Sequence, residues 1–153
     1  MTTTERHEAM PDEMQRPGGY FGRALIVDVT DGSSSILELP PAVLRDYIGG
    51  AGLGTWLLTQ LAPVRVDPLD ASAPLAFVFS PLVGTPLTTS AKFAVVAKSP
   101  LTGLLTDALA SSHFAIAGKL TGHDAIIVTG KAPAPSVLRV DGDNVSVENA
   151  NSE

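Results

Sequence analysis

The chain has 153 residues, 44% of them hydrophobic and 17% charged, which suits one packed core and excludes a disordered polymer. Its net charge of −6 leaves no basic stripe to neutralise phosphates, so a nucleic-acid partner is not expected. The absence of cysteine removes disulfides, thiolate zinc sites, cysteine nucleophiles and any self-contained iron–sulfur cluster.

Residues 1–18 mix acids, bases, Met and Pro without periodicity and lack the apolar stretch of a secretory signal, so they read as a disordered tail. No apolar run approaches the ~18–20 residues that span a bilayer, and the cytoplasm is the expected compartment. Fourteen glycines and twelve prolines predict many turns between short elements. The expected fold is α+β: a β-rich domain over residues 19–150, with mixed and antiparallel sheets and a few short helices.

Ala24–Val29 alternates like a strand, Asp31-Gly32 supplies a turn, and Ile36, Leu37 and Leu39 mark the return strand of a hairpin. Pro41 suits a first helical turn, and Val43, Leu44, Tyr47 and Ile48 follow at helical spacing, with Gly49-Gly50 as the expected C-cap. Leu53, Trp56, Leu57, Leu58 and Leu61 form the apolar face of a second helix before Pro63, with Trp56 as a core anchor. "LAFVFS", "KFAVVA" and "DAIIVTG" read as buried strands. The small-residue run from Leu104 is expected to end as a helix over residues 112–120, stopped by Gly122. A hairpin from Ser136 closes the chain, turning between Asp141 and Asn144.

Few residues offer chemistry. His7, His113 and His123 have no ligand at metal-site spacing, and His123 and Asp124, adjacent in a strand, are expected to face apart. "GGAGLG" (Gly49–Gly54) follows a predicted helix, not a strand, so it is not a dinucleotide fingerprint. No Ser-His-Asp order or nucleophile elbow is present, and the chain is not expected to be a self-sufficient enzyme. Ser111 and Ser112 lie near a predicted helix N-terminus, where amides and the helix dipole hold anions. Lys92 and Lys98, six apart on one strand, share a face about 20 Å apart and cannot clamp one small anion together. Each is either a solvated strand end or part of an anion site.

Five stretches occur in fixed order: "GYFGRALIVDVTDG", "YIGGAGLGTWLL", "VDPL", "SPLVGTPLTTSAKFAVVAKSPLTG" and "GHDAIIVTGKAPAPSVL". Over Gly19 to about Val147 they resemble the N-terminal domain of the tungsten-dependent aldehyde:ferredoxin oxidoreductases. The resemblance implies a domain cradling a bis-pterin tungsten (or molybdenum) cofactor shared with further domains. Those domains, or a separate cysteine-containing subunit, would supply the [4Fe–4S] cluster and most of the substrate pocket, with ferredoxin reached indirectly.

It also implies cofactor-binding roles for Lys92, Ala110, Ser111 and Ser112, and no catalytic or metal-ligating residue. Lys92 stands where arginine is common, keeping the charge but losing the bidentate fork. "DALASSHF" (Asp107–Phe114) matches a loop near the pterin phosphates and a bridging magnesium, but Leu109 replaces an asparagine there, Ser111-Ser112 replace glycines, and Ala51 replaces an arginine. The expected protein is thus a split subunit or truncated form of an aldehyde-oxidising enzyme. The alternatives are a non-catalytic binding or interaction module and a homodimer.

Overall fold

The structure, a computed structural model, describes residues 18–150. The expected tail, Gly18 apart, therefore lies outside the described residues. The hairpin comes first, as β1 (Arg23–Asp28) and β2 (Ser33–Glu38). Two helices follow, α1 (Pro41–Tyr47) and α2 (Gly50–Leu61), then the antiparallel strands β3 (Leu75–Phe79), β4 (Lys92–Lys98) and β5 (Leu105–Ser111). Helix α3 (His113–Leu120) leads to β6 (Ala125–Thr129), and β7 (Ser136–Asp141) with β8 (Asn144–Asn149) closes the described chain. The first six strands form one mixed sheet in the order β2-β1-β6-β3-β4-β5, with β1 and β6 parallel; β7 and β8 form a separate ribbon. The α+β expectation holds.

Alternation within the central strands sends successive side chains to opposite faces, and each face is covered differently. On one face Ala24, Ala125, Val78 and Ala94 lie in register across four strands. Leu44 of α1 and Leu53, Leu57 and Leu58 of α2 pack on them. Three alanines in that row leave room for a close helix, and Gly54 uses it: a Cβ there would collide with the side chain of Val96. On the other face Leu25, Val27, Phe79 and Ile126 are covered by α3 and by Leu138, Val140 and Val145 of the ribbon. Phe114 of α3 sits among Phe77, Phe79 and Phe93, with ring centroids 4.9 to 6.1 Å away.

Three expectations need correction. The α1 stop is Ile48, itself left-handed at φ 51°; Gly49 is the N-cap of α2 and Gly50 its first residue. Most of the segment read as the loop Asp107–Phe114 is strand: Asp107–Ser111 belong to β5, paired residue by residue with β4 from Lys92↔Ser111 to Lys98↔Leu105, and His113 and Phe114 open α3. β4, read as a buried strand, is buried only at Ala94 and Val96, beneath α2.

The Gly54–Val96 approach is testable. Gly54→Ala is expected to destabilise the domain by about 1–3 kcal/mol in urea unfolding, because the added methyl must displace α2 or Val96. Unchanged stability would show that α2 does not lie this close.

Candidate functional site

Lys92, Ala94, Val96 and Lys98 share one face of β4, the face that α2 covers. The two lysines therefore stand at opposite ends of the helix. Lys98 Nζ donates to the carbonyl of Val66, 2.6 Å away in the turn that follows α2. That lysine is structural, a cation at the negative end of the helix dipole with a carbonyl to hold it.

Lys92 is placed at the other end. Gly49, the N-cap of α2, offers no side-chain cap to the first amides of the helix. The chain reaches that point through three successive left-handed residues, Ile48, Gly49 and Gly50. Together with Ser80, Lys92 and Leu109 they line a groove of about 200 Å3. A cation beside the positive end of a helix is unfavourable unless an anion lies between them. The groove thus gathers a lysine, the uncapped first turn of a helix and Gly50, where a Cβ would meet no neighbour, the elements of a phosphate or carboxylate site.

Of the residues singled out in the sequence, Lys92 and Ser111 are brought together, with Lys92 Nζ donating to Ser111 Oγ at 2.8 Å. Ser112 is the N-cap of α3, its Oγ accepting from the Phe114 amide at 3.1 Å. Ala110 is the partner of Phe93, so it faces away from the groove. Leu109 pairs with Ala94 and so shares the groove face; its side chain is 71% exposed and brings no oxygen. Gly50 and Ser80 were missed, since nothing in a turn between two helices and a Ser-Pro strand end announces that they meet Lys92.

A buried charged cluster lies between the end of α3 and the entry to β6. Asp124 is fully buried and accepts from Lys119 Nζ at 2.6 Å, the Gly22 amide at 2.7 Å and the Phe21 amide at 3.1 Å. Lys119 also lies over the rings of Tyr20 and Phe21. Every oxygen of Asp124 is committed to holding the chain entry against α3, a structural task. Burial, followed by the Asp124 charge, raises the Tyr20 phenol above its usual range. As expected from their adjacency, His123 and Asp124 turn to different partners: the His123 ring meets Thr121 and Asp143. No group of three or more His, Cys, Asp or Glu side chains able to hold a metal occurs among the described residues.

Residues 24–153 match the model of the aldehyde ferredoxin oxidoreductase N-terminal domain. The chain belongs to that family. It is 34% identical over 132 residues to a tungsten-containing aldehyde ferredoxin oxidoreductase of Pyrococcus abyssi, covering 86% of this chain and 22% of that protein. Against an aliphatic sulfonate oxidoreductase, WOR-like subunit, of Pyrococcus furiosus the identity is 34% over 134 residues, with 86% and 21% covered. The fold superposes on a chain of the active-site complex BamBC of benzoyl coenzyme A reductase with a TM-score of 0.80 at 31% identity, covering 86% of this chain and 20% of that one. This aldehyde ferredoxin oxidoreductase N-terminal domain thus spans about a fifth of the length of the relatives it matches.

Breaking the buried pair tests its structural role. Asp124→Asn leaves the Lys119 ammonium without a counter-charge and is expected to cost about 3–5 kcal/mol in urea unfolding. A loss under about 1 kcal/mol would show that Lys119 reaches water on its own.

Proposed function

We propose that this domain holds the phosphate end of a pterin cofactor in the groove between Lys92 and the N-terminus of α2. It would do so as one part of a tungsten- or molybdenum-dependent oxidoreductase. The observation that carries this reading is the meeting of two positive ends, the Lys92 ammonium and the uncapped helix, on one groove. Within it, Lys92 neutralises charge, Ser111 fixes the lysine through its hydroxyl, and the first amides of α2 donate to phosphate oxygens. Gly50, open where a Cβ would stand, lets a ligand come close to the backbone. Leu109 supplies no oxygen to the same groove, so a divalent ion there would find no ligand from that position of β5.

In this reading the metal's own ligands would come from the pterin. When bound, the metallopterin supplies two-electron oxidation of an aldehyde to a carboxylate. The electron path through an iron–sulfur cluster to ferredoxin belongs to other domains or to a separate cysteine-containing subunit, because this chain has no cysteine. The surface supports such company. β5 is exposed along its whole length, and Leu101, Leu104, Leu109 and Leu120 are large apolar side chains left largely open to water.

A second reading, a non-catalytic module that binds an anion or only pairs with a partner, is favoured by Leu109 and by Lys92 being the one cation lining the groove among the described residues. Purification from the native host with elemental mass spectrometry and pterin fluorescence separates the two. Tungsten or molybdenum with a co-purifying cysteine-containing chain is expected. A pterin-free, metal-free single chain would overturn the cofactor reading.

Binding of a pterin phosphate ester to the 153-residue chain, followed by fluorescence, tests the groove itself. Lys92→Ala is expected to weaken binding about tenfold or more and to flatten its salt dependence, and Lys92→Arg to retain it. Lys98→Ala is expected to leave affinity unchanged; equal losses at both lysines would show that the groove is not the site.

A further inference from the structure

We infer that β5 pairs antiparallel with β5 of a second copy of this chain, about a two-fold axis at Leu109, so that each copy sets its Asp107 carboxylate against the Lys92 ammonium of the other. β5 is the last strand of the main sheet, and its one neighbour there is β4. All seven of its residues are exposed, so its outer row of amides and carbonyls is open to another strand. On the groove face Leu109 is 71% exposed, and Ile48, which lines the same groove, is 67% exposed.

The charges on this edge are unmatched within one copy. Asp107 pairs with Val96 and therefore lies on the groove face, between Leu105 and Leu109. It makes no hydrogen bond or ion pair among the described residues. Lys98, the nearest cation of β4 on that face, is turned to the Val66 carbonyl. Lys92 is held by the Ser111 hydroxyl at 2.8 Å. Asp107 and Ser111 are four residues apart along one strand, about 13 Å, so the carboxylate does not reach that lysine in its own copy.

These charges select the register. In a two-fold antiparallel pair, opposed side chains share a face, so the axis falls on one residue of β5. An axis at Asp107 sets the two carboxylates directly opposite each other. An axis at Thr106 or Ala108 leaves them diagonal neighbours, about 7–8 Å apart, and like charges so placed oppose pairing. Axes at Leu105, Ala110 or Ser111 run most of each strand past the end of the other. With the axis at Leu109, Asp107 lies opposite Ser111 of the other copy, beside the lysine that this serine holds. Ala108 then faces Ala110, Leu109 meets Leu109 at the centre, and the two carboxylates stand about 13 Å apart along the strand direction.

The second copy thereby completes the groove. Its carboxylate is the anion that Lys92 and the uncapped first turn of α2 favour, and its Leu109 covers the leucine that is otherwise bare. The paired stretch, Asp107–Ser111, is short, so a reversible, concentration-dependent dimer is expected and not a permanent one. The pairing goes beyond the cofactor reading and does not require it, since the anion comes from protein.

Sedimentation velocity of the 153-residue chain from about 5 to 500 μM tests the pairing, with monomer expected to give way to dimer across that range. Asp107→Lys and Lys92→Glu are each expected to weaken association about tenfold or more. An equimolar mixture of the two variants is expected to restore it, because both crossed contacts then join opposite charges. Leu109→Lys is expected to abolish dimer, and Lys98→Ala to leave it unchanged. Asp107, Lys92 and Leu109 are exposed, and unchanged urea midpoints for their variants show that each still folds. Monomer throughout the range, association indifferent to both charge reversals, or a mixture that associates no better than its components would each overturn the pairing.

Discussion

The closeness of α2 to the sheet is the constraint on which the rest depends. Alanines at 24, 94 and 125 and a glycine at 54 remove the side chains that would hold helix and sheet apart. Val78 and Val96 then reach the helix backbone, and Leu53 and Leu57 are sealed completely. A helix so fixed cannot slide, and its two ends become definite places. One end meets Lys98 through the Val66 carbonyl; the other meets Lys92 and the Gly49-Gly50 turn. Packing, a matter of volumes, thereby decides where the electrostatics fall.

The two lysines illustrate how one strand can carry two cations in opposite electrostatic settings. Both sit at strand ends on the same face, and both are long chains that can keep the charged tip in water. What separates them is the sign of the helix end beside each. Lys98 is attracted to carbonyls at the C-terminal end and finds one. Lys92 stands at the amide end, where among the described residues its hydrogen-bond partner is a neutral hydroxyl, and an anion entering there would be favoured. Of the alternatives posed by the sequence, solvated strand end or anion wall, Lys98 takes neither, being tied to the Val66 carbonyl.

Elements with a buried face were legible because burial writes a period into the sequence. Ala24–Val27, Ala76–Phe79 and Ala125–Ile127 show it, as do Leu53, Leu57 and Leu58 on α2. β5 was not legible for the same reason: every residue from Leu105 to Ser111 is exposed, so neither face demanded apolar alternation. Its strand conformation is imposed by β4, through backbone pairing that any side chain permits. The pair Lys119–Asp124 was equally silent, since five residues spanning a helix end and a turn fit no local spacing rule. His123 and Asp143 meet only because the ribbon folds back over β1. Of the candidate site, Lys92 and Ser111 were visible as chemistry, while Gly50 and Ser80 became part of it only through three-dimensional closure.

β5 bears on what must surround this domain. An edge strand with seven exposed residues offers an open row of backbone donors and acceptors, guarded only by Asp107 near its middle. On the groove face Leu105 and Leu109 flank that aspartate, and Leu101 and Leu104 precede the strand, so the edge is apolar as well as open. Such an edge favours a covering layer over bare water, and the relatives, of which this chain spans 22%, have the length to supply one. A cover laid over Leu109 would also roof the groove at Lys92, because that leucine belongs to both surfaces. Shielding from water would strengthen the attraction of Lys92 and the α2 amides for an anion. In that arrangement the covering layer and the groove would be coupled through one residue, Leu109.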